Sequence, residues 1–187
     1  MDVTEQTFAQ DVLERSREKP VVVDFWAEWC GPCHALAPVL EKEVASRDGA
    51  VELVKVDVDS NQGLALEYGV QGIPAVKGFR DGRVVAQFVG AVGPATISSF
   101  VDQLLAPPRV EGLVEELRAS GELPEVLAAL EAGELESALD RILAAIPGTP
   151  AEQRERLREV AIAIFEDLGH EDPVTVSYRR RLATALY

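Results

Sequence analysis

Six residues, Val21-Val22-Val23-Asp24-Phe25-Trp26, constrain what this chain can fold into more than any others. The run is apolar at all but one position instead of alternating, which is the pattern of a strand buried on both faces. Helices must therefore cover the sheet on either side. Shortly after it comes Trp29-Cys30-Gly31-Pro32-Cys33, and a helical pattern follows from about Pro32, with Leu36, Val39, Leu40 and Val44 on one face. The only two cysteines thus fall at a strand-to-helix junction. Exposed amide N–H groups and the positive end of the helix dipole favour thiolate over thiol there, and such cysteines titrate near 7 or lower.

The same alternation of periods continues on both sides of the junction. Phe8, Val12 and Leu13 share a helical face after candidate caps at Thr4 and Thr7, and Lys19-Pro20 ends that helix. Val51 to Val58 reads as a second buried strand, and a short helix spans about Leu64 to Tyr68. Asp81-Gly82 is a hairpin signal, so strands ending at Arg80 and starting near Arg83 are expected as antiparallel neighbours. A helix over Pro94 to Leu105 closes the unit. The order β-α-β-α-β-α-β-β-α, with an optional first strand at Val3, predicts an α/β unit with a mixed sheet and helices on both faces.

Pro107-Pro108 marks a break, because proline cannot continue the preceding helix. Residues 1–106, a linker at 107–109 and a tail at 110–187 are the expected divisions. Beyond the break no strand signal survives, and apolar stripes recur at helical spacing. They are Val110 to Leu117, Leu123 to Leu130, Leu135 to Leu143, Leu157 to Leu168, and Leu182 with Ala185 and Leu186. Gly121, Gly133, Pro147-Gly148 and Gly169 punctuate them, so the tail should form five short antiparallel helices.

Charge excludes one class of partner. On either side of Ala106 there are 9 Lys and Arg against 16 Asp and Glu, so each half carries −7 of the net −14. Phosphate backbones attract concentrated cations, and the single basic run, Arg179-Arg180-Arg181, lies in an acidic half. We expect no nucleic-acid partner and read that run as a solvated helix face. No apolar stretch approaches the roughly 20 residues of a membrane span. The start Met1-Asp2-Val3-Thr4-Glu5 lacks a basic n-region and an apolar h-region, so a cytoplasmic, reducing location is expected.

Three chemistries compete for the cysteine pair. A structural zinc site wants four N or S ligands, yet only His34 and His170 accompany the pair. Cys30-Gly31-Pro32-Cys33-His34 also has the C-x-x-C-H spacing of covalent haem attachment, but the axial partner would have to be His170 or Met1. Haem attachment also normally implies export. A redox dithiol is the reading that the strand-to-helix setting supports, since in a cytosolic chain such a pair is more often catalytic than stapling.

Asp24-Phe25-Trp26-Ala27-Glu28-Trp29-Cys30-Gly31-Pro32-Cys33, with Gly72-Ile73-Pro74 and Val89-Gly90-Ala91 downstream, resembles thioredoxin across residues 1–106. The resemblance implies the α/β thioredoxin fold and protein-disulfide reductase activity by thiol-disulfide exchange. It also implies that no cofactor is bound and that a redox-active Cys30–Cys33 disulfide is reduced by an external thioredoxin reductase. Cys30 would be the exposed nucleophile and Cys33 the buried resolving thiol. Asp24, an acid inside an apolar strand, should have a raised pKa and accept the Cys33 proton, with Lys55 as its partner. Pro74 matches the family's cis-proline, which leaves the Ile73 backbone free to pair with an extended substrate. Trp29, Pro32, Ile73, Gly90 and Ala91 would form the apolar docking rim, whereas Trp26 is expected in the core. His34 stands where many relatives carry Lys or Arg, and we read it as a solvated helix residue. Lys77-Gly78 interrupts an otherwise apolar strand, which should bulge or be covered differently, with the tail as one possible cover.

In the tail, Gly133-Glu134-Leu135-Glu136-Ser137-Ala138, then Ile142, Ala145 and Pro150, follow the second half of a tetratricopeptide unit. The ending from Leu168-Gly169-His170-Glu171-Asp172-Pro173 through Tyr178-Arg179-Arg180-Arg181-Leu182-Ala183 to Tyr187 resembles that of the YbbN/CnoX co-chaperones. This resemblance implies a chaperedoxin, with a tetratricopeptide-like all-α tail that holds unfolding clients and passes them to chaperonin or Hsp70 machinery. Its tail looks short for that family. A passive tail on a plain reductase and a redox-independent holdase are the alternatives.

Overall fold

The computed structural model describes residues 1–186, and the chain divides into two compact units, the first Met1–Ala106 and the second from Pro107 onward. In the first, β1 (Val21–Trp26) leads through the Cys pair into α1 (Gly31–Ala45). There follow β2 (Glu52–Asp57), α2 (Gln62–Glu67), β3 (Ala75–Arg80), β4 (Arg83–Val89) and α3 (Pro94–Leu105). The sheet order is β2-β1-β3-β4, with β1–β2 parallel and the other two pairs antiparallel. Asp81 and Gly82 turn the β3–β4 hairpin with φ of 54° and 76°, the left-handed pair that a tight two-residue turn demands.

Burial on both faces of β1 follows from its continuous apolar run. Val21, Val23 and Phe25 join Val3, Phe8, Val12, Val54, Val56 and Phe79 in one core. Val22 joins Leu36, Leu40, Val76, Ile97, Phe100 and Leu104 in the core under α1 and α3. Alternation along the strand puts Asp24 on this second face, with Val22.

Three local expectations are corrected. The segment around Val3 makes only one isolated parallel bridge, Asp2 to Lys55, because its residues turn away at Thr4. The first helix is an irregular element, a π-helical stretch at Ala9–Glu14 followed by a 3-10 turn at Arg15–Arg17. Neither threonine caps it: the chain already turns at Thr4–Thr7, so Thr7 Oγ1 accepts from Thr4 N–H at 3.3 Å and Phe8 N–H donates to the Thr4 carbonyl.

Lys77-Gly78 resolves as a bulge. The β3–β4 register shifts between Gly78 and Phe79, and Lys77, buried on the Val23 side, donates to Gln87 Oε1. A Cβ on Gly78 would lie 3.0 and 3.1 Å from the Leu104 Cδ atoms and 3.2 Å from Phe100 Cζ. Glycine here lets α3 approach the strand and cover this face.

The second unit contains α4 (Arg109–Ser120), α5 (Pro124–Glu131), α6 (Leu135–Ala145), α7 (Ala151–Leu168) and α8 (Pro173–Leu186). Helix α4 begins one residue before the expected tail boundary. Leu117, Val126, Leu130, Leu139, Ile142, Leu157, Ile164, Phe165 and Leu182 belong to one core, fed by every stripe read from the sequence. Helices α5 and α6 form a hairpin through Gly133, whose φ is 72°. The arginine run is more than a solvated face. Arg181 reaches Asp140 Oδ1 at 2.9 Å and lies over the Tyr178 ring, while Arg179 meets His170 Nδ1 at 2.6 Å and the Phe165 ring. Both therefore link α8 to neighbouring helices.

Candidate functional site

The parallel, in-register pairing of β1 with β2 brings their C-terminal ends level, Trp26 opposite Asp57. The dithiol leaves β1 at that end. Cys30 is the N-cap of α1, and Cys33 lies in the first turn beside Pro32, which has no N–H to leave unsatisfied. The two form a disulfide with an S–S distance of 2.07 Å and Cα atoms 5.3 Å apart. The Cys33 N–H donates to Cys30 Sγ at 3.2 Å. A first-turn helix N–H thus points at the sulfur of Cys30, where it would stabilise a thiolate.

Exposure does not separate the two cysteines as expected. Cys30 is 3% and Cys33 2% exposed, because Ala27, Trp26, Val58 and Ile73 pack around the disulfide. Trp26 is corrected too: it is half-buried against the dithiol rather than inside either sheet core, and its buried Nε1 has no hydrogen-bond partner among the described residues. Trp29 is 70% exposed, with its indole N–H donating to Asp59 Oδ2 at 2.8 Å. His34 is exposed but anchored, with Nε2 2.7 Å from the Glu28 carbonyl and the ring edge-on to Trp26.

The remaining rim residues come from the β3 and β4 ends. The Ile73–Pro74 peptide bond is cis. Gly90, at φ 90°, donates its N–H to the Pro74 carbonyl at 2.8 Å. Pro32, Gly90 and Ala91 are exposed or half-exposed, and Ile73 is half-buried against the disulfide. Val89, 65% exposed, adds apolar surface that the sequence reading passed over.

Asp24 is 1% exposed, and its Oδ1 has no hydrogen-bond partner among the described residues. Burial pushes its carboxyl from 3.8 up to about 6; the Lys55 charge opposes the rise and the Glu41 charge adds to it. The expected direct pair with Lys55 is not made. Lys55 is the register neighbour of Asp24 across β1–β2, but its ammonium turns outward to Glu41 Oε1 at 2.5 Å. The partly exposed end of α1 solvates both charges there, which a pair sealed beneath the helix would lack.

Asp59, Val58 and Glu41 were missed. A signal for the first two was present, since Asp57-Val58-Asp59 ends a strand parallel to the one that carries the dithiol. Glu41 carried none, because an exposed helical Glu looks like any other.

A disulfide at a helix N-terminus, an apolar rim around it and a buried acid on the strand beneath that helix define a thiol-disulfide oxidoreductase of the thioredoxin fold. The thioredoxin family model matches residues 1–103, and the chain belongs to that family. It is 48% identical over 103 residues to Thioredoxin C-2 of Corynebacterium nephridii, covering 55% of this chain and 94% of that one. It is 43% identical over 102 residues to the thioredoxin of Pseudomonas aeruginosa, 54% of this chain and 93% of the relative. A tetratricopeptide repeat model matches residues 123–187. Thioredoxin followed by tetratricopeptide repeat is therefore the architecture. No helix among the described residues is long and apolar enough to cross a membrane.

Proposed function

We propose that this protein reduces disulfides of unfolding protein clients at Cys30–Cys33 and holds those clients, or a chaperone that receives them, through its helical tail. The observation that carries the redox half is the Cys33 N–H aimed at Cys30 Sγ from the first turn of α1. It favours Cys30 as the thiolate nucleophile. Cys30 attacks a client disulfide, forming a mixed disulfide and releasing one client thiolate. Cys33 gives its proton to the Asp24 carboxylate and attacks Cys30 Sγ. The Cys30–Cys33 disulfide closes, and the client leaves with both sulfurs reduced, having gained two electrons. An external thioredoxin reductase then supplies two further electrons, which reduce the Cys30–Cys33 disulfide back to the dithiol.

Near pH 7 an acid with a pKa of about 6 is mostly ionised and still close enough to a thiol to accept its proton. Trp29, Pro32, Ile73, Gly90 and Ala91 form the client platform, and the Ile73 backbone before Pro74 pairs with the extended client segment. The tail's tetratricopeptide match supports protein binding, with chaperonin or Hsp70 machinery as the receiving partners and the cytoplasm as the compartment. A passive tail is the second reading, favoured by the continuous core that α4 to α8 build for themselves.

Cys33→Ser tests the redox half. It should strand clients on Cys30 as mixed disulfides that dithiothreitol releases, and Cys30→Ser should abolish NADPH-coupled insulin reduction; full turnover by Cys30→Ser refutes the mechanism. For the tail, the intact chain should suppress aggregation of a thermally unfolding client, and deleting residues 107–187 should weaken this. Equal suppression without the tail leaves the passive reading.

A further inference from the structure

Lys55 sits between two carboxylates and is bonded to the one outside. Its backbone is the register neighbour of Asp24 on the adjacent strand, roughly 4.8 Å away as neighbouring strands lie. Val54 and Val56 belong to the opposite core, so Lys55 and Asp24 face the same side of the sheet, toward α1. Yet its Nζ pairs with Glu41 Oε1, 2.5 Å distant, while Asp24 Oδ1 has no partner among the described residues. A single ammonium cannot neutralise both acids.

We propose that Glu41 is a positioning residue of the thiol-disulfide reaction: by holding the Lys55 ammonium at the helix surface, it withholds that cation from the buried Asp24 carboxylate. The proposal rests on Asp24 acting as the proton acceptor for Cys33. With Lys55 turned inward, Asp24 would be a salt-bridged anion with little affinity for a proton. With Lys55 held outward, the carboxylate stays basic enough to take the Cys33 proton and to return it when the disulfide is reduced again.

Among the described residues, Lys55 and Glu41 are the charges that act on Asp24. On β2 the charged groups on that face are Lys55 and, at the strand end opposite Trp26, Asp57, whose carboxylate is taken up by the Asp59 N–H and the Ser60 hydroxyl. On α1 it is Glu41, with the Cys33 thiol at the helix start once the disulfide is reduced. The β3 residue opposite is Val76, and Lys77 beside it faces the other core. Helix α3 contributes Ile97, Phe100, Val101 and Leu104. The signs of the two charges agree with the geometry, Lys55 lowering the Asp24 proton affinity and Glu41 raising it.

The test is the titration of the Asp24 side-chain carboxyl carbon by NMR in the oxidised full-length protein, where no thiol titrates alongside. Glu41 is half-exposed, with 53% of its side chain accessible, so Glu41→Gln keeps the fold. It should move the Asp24 midpoint down by about half a pH unit or more, a factor of about three in the equilibrium. In a Lys55→Met background the same substitution should move the midpoint less than half as far. An unmoved or raised midpoint in Glu41→Gln overturns the proposal, as does an equal shift with and without Lys55. The parent reading fails separately: an Asp24→Asn protein with an unaltered pH profile of insulin reduction removes the acceptor role, whatever the NMR midpoint does.

Discussion

Replacing Asp24 by Asn removes a charge that the fold buries at a cost, and the size of that cost follows from its titration. The carboxyl titrates near 6 in the folded protein against 3.8 ordinarily. Between those pH values the folded state holds more protons than the unfolded chain, so stability falls as pH rises through the window and stays reduced above it. A rise of about two pH units at about 1.4 kcal/mol each corresponds to about 3 kcal/mol at pH 8, shrinking to less than about 1 kcal/mol at pH 4. Asn keeps the shape and carries no charge, so Asp24→Asn should be more stable than the natural protein by up to those amounts. Because the side chain is 1% exposed, solvent screening gives little discount. The assay is guanidinium unfolding of the oxidised protein followed by tryptophan fluorescence. Both tryptophans, Trp26 and Trp29, lie in the first unit, so the signal reports that unit. Equal stability at pH 8, or a gain that does not change between pH 4 and pH 8, refutes the reasoning. The gain should be accompanied by slower insulin reduction, as expected where a destabilising buried acid serves chemistry.

Two further substitutions probe the frame that holds the site. Gly78→Ala drives a methyl to 3.0 Å from Leu104 and 3.2 Å from Phe100; an overpacking loss of about 1–3 kcal/mol should appear in the same unfolding curves. Glu52 accepts from Arg15 and pairs with Lys19 at 2.6 Å, hydrogen bonds and charges that hold its carboxyl down at about 2. A depressed carboxylate contributes stability above its unfolded value of 4.5 that is lost as pH falls toward 2. Discounted for its position near the surface, Glu52→Gln should cost about 1 kcal/mol at pH 7, and less in 1 M salt. A loss that persists at pH 2 argues against the ion pair as its cause.

Much of the site was legible because its chemistry needs residue types at fixed spacing. Cys30 and Cys33 at a strand-to-helix junction, Asp24 inside an apolar run, and the Gly72-Ile73-Pro74 passage all carry local signals. What the residues could not announce were contacts made by side chains free to choose among neighbours. Lys55 had Asp24 beside it in register and took Glu41, because the outer carboxylate is partly solvated and the inner one is not. Cys30 was expected to be exposed, but local sequence says nothing of Val58 and Ile73 arriving from elsewhere to cover it. Trp26 sat in a core-like run, yet lies where β1 emerges from the sheet and leans on the disulfide.

Hydrophobic period and backbone-restricting residues act over a few positions. The strand buried on both faces, the Asp81-Gly82 hairpin, the α3 span from Pro94 to Leu105, the break at Pro107-Pro108 and the five helical stripes of the tail were therefore determined along the chain itself. Only the tertiary structure decided the bulge at Gly78, the electrostatic state of Asp24 and the anchoring of Trp29 on Asp59. Each depends on groups far apart in sequence competing for the same space, proton or hydrogen bond, and such competition has no outcome until the elements have packed.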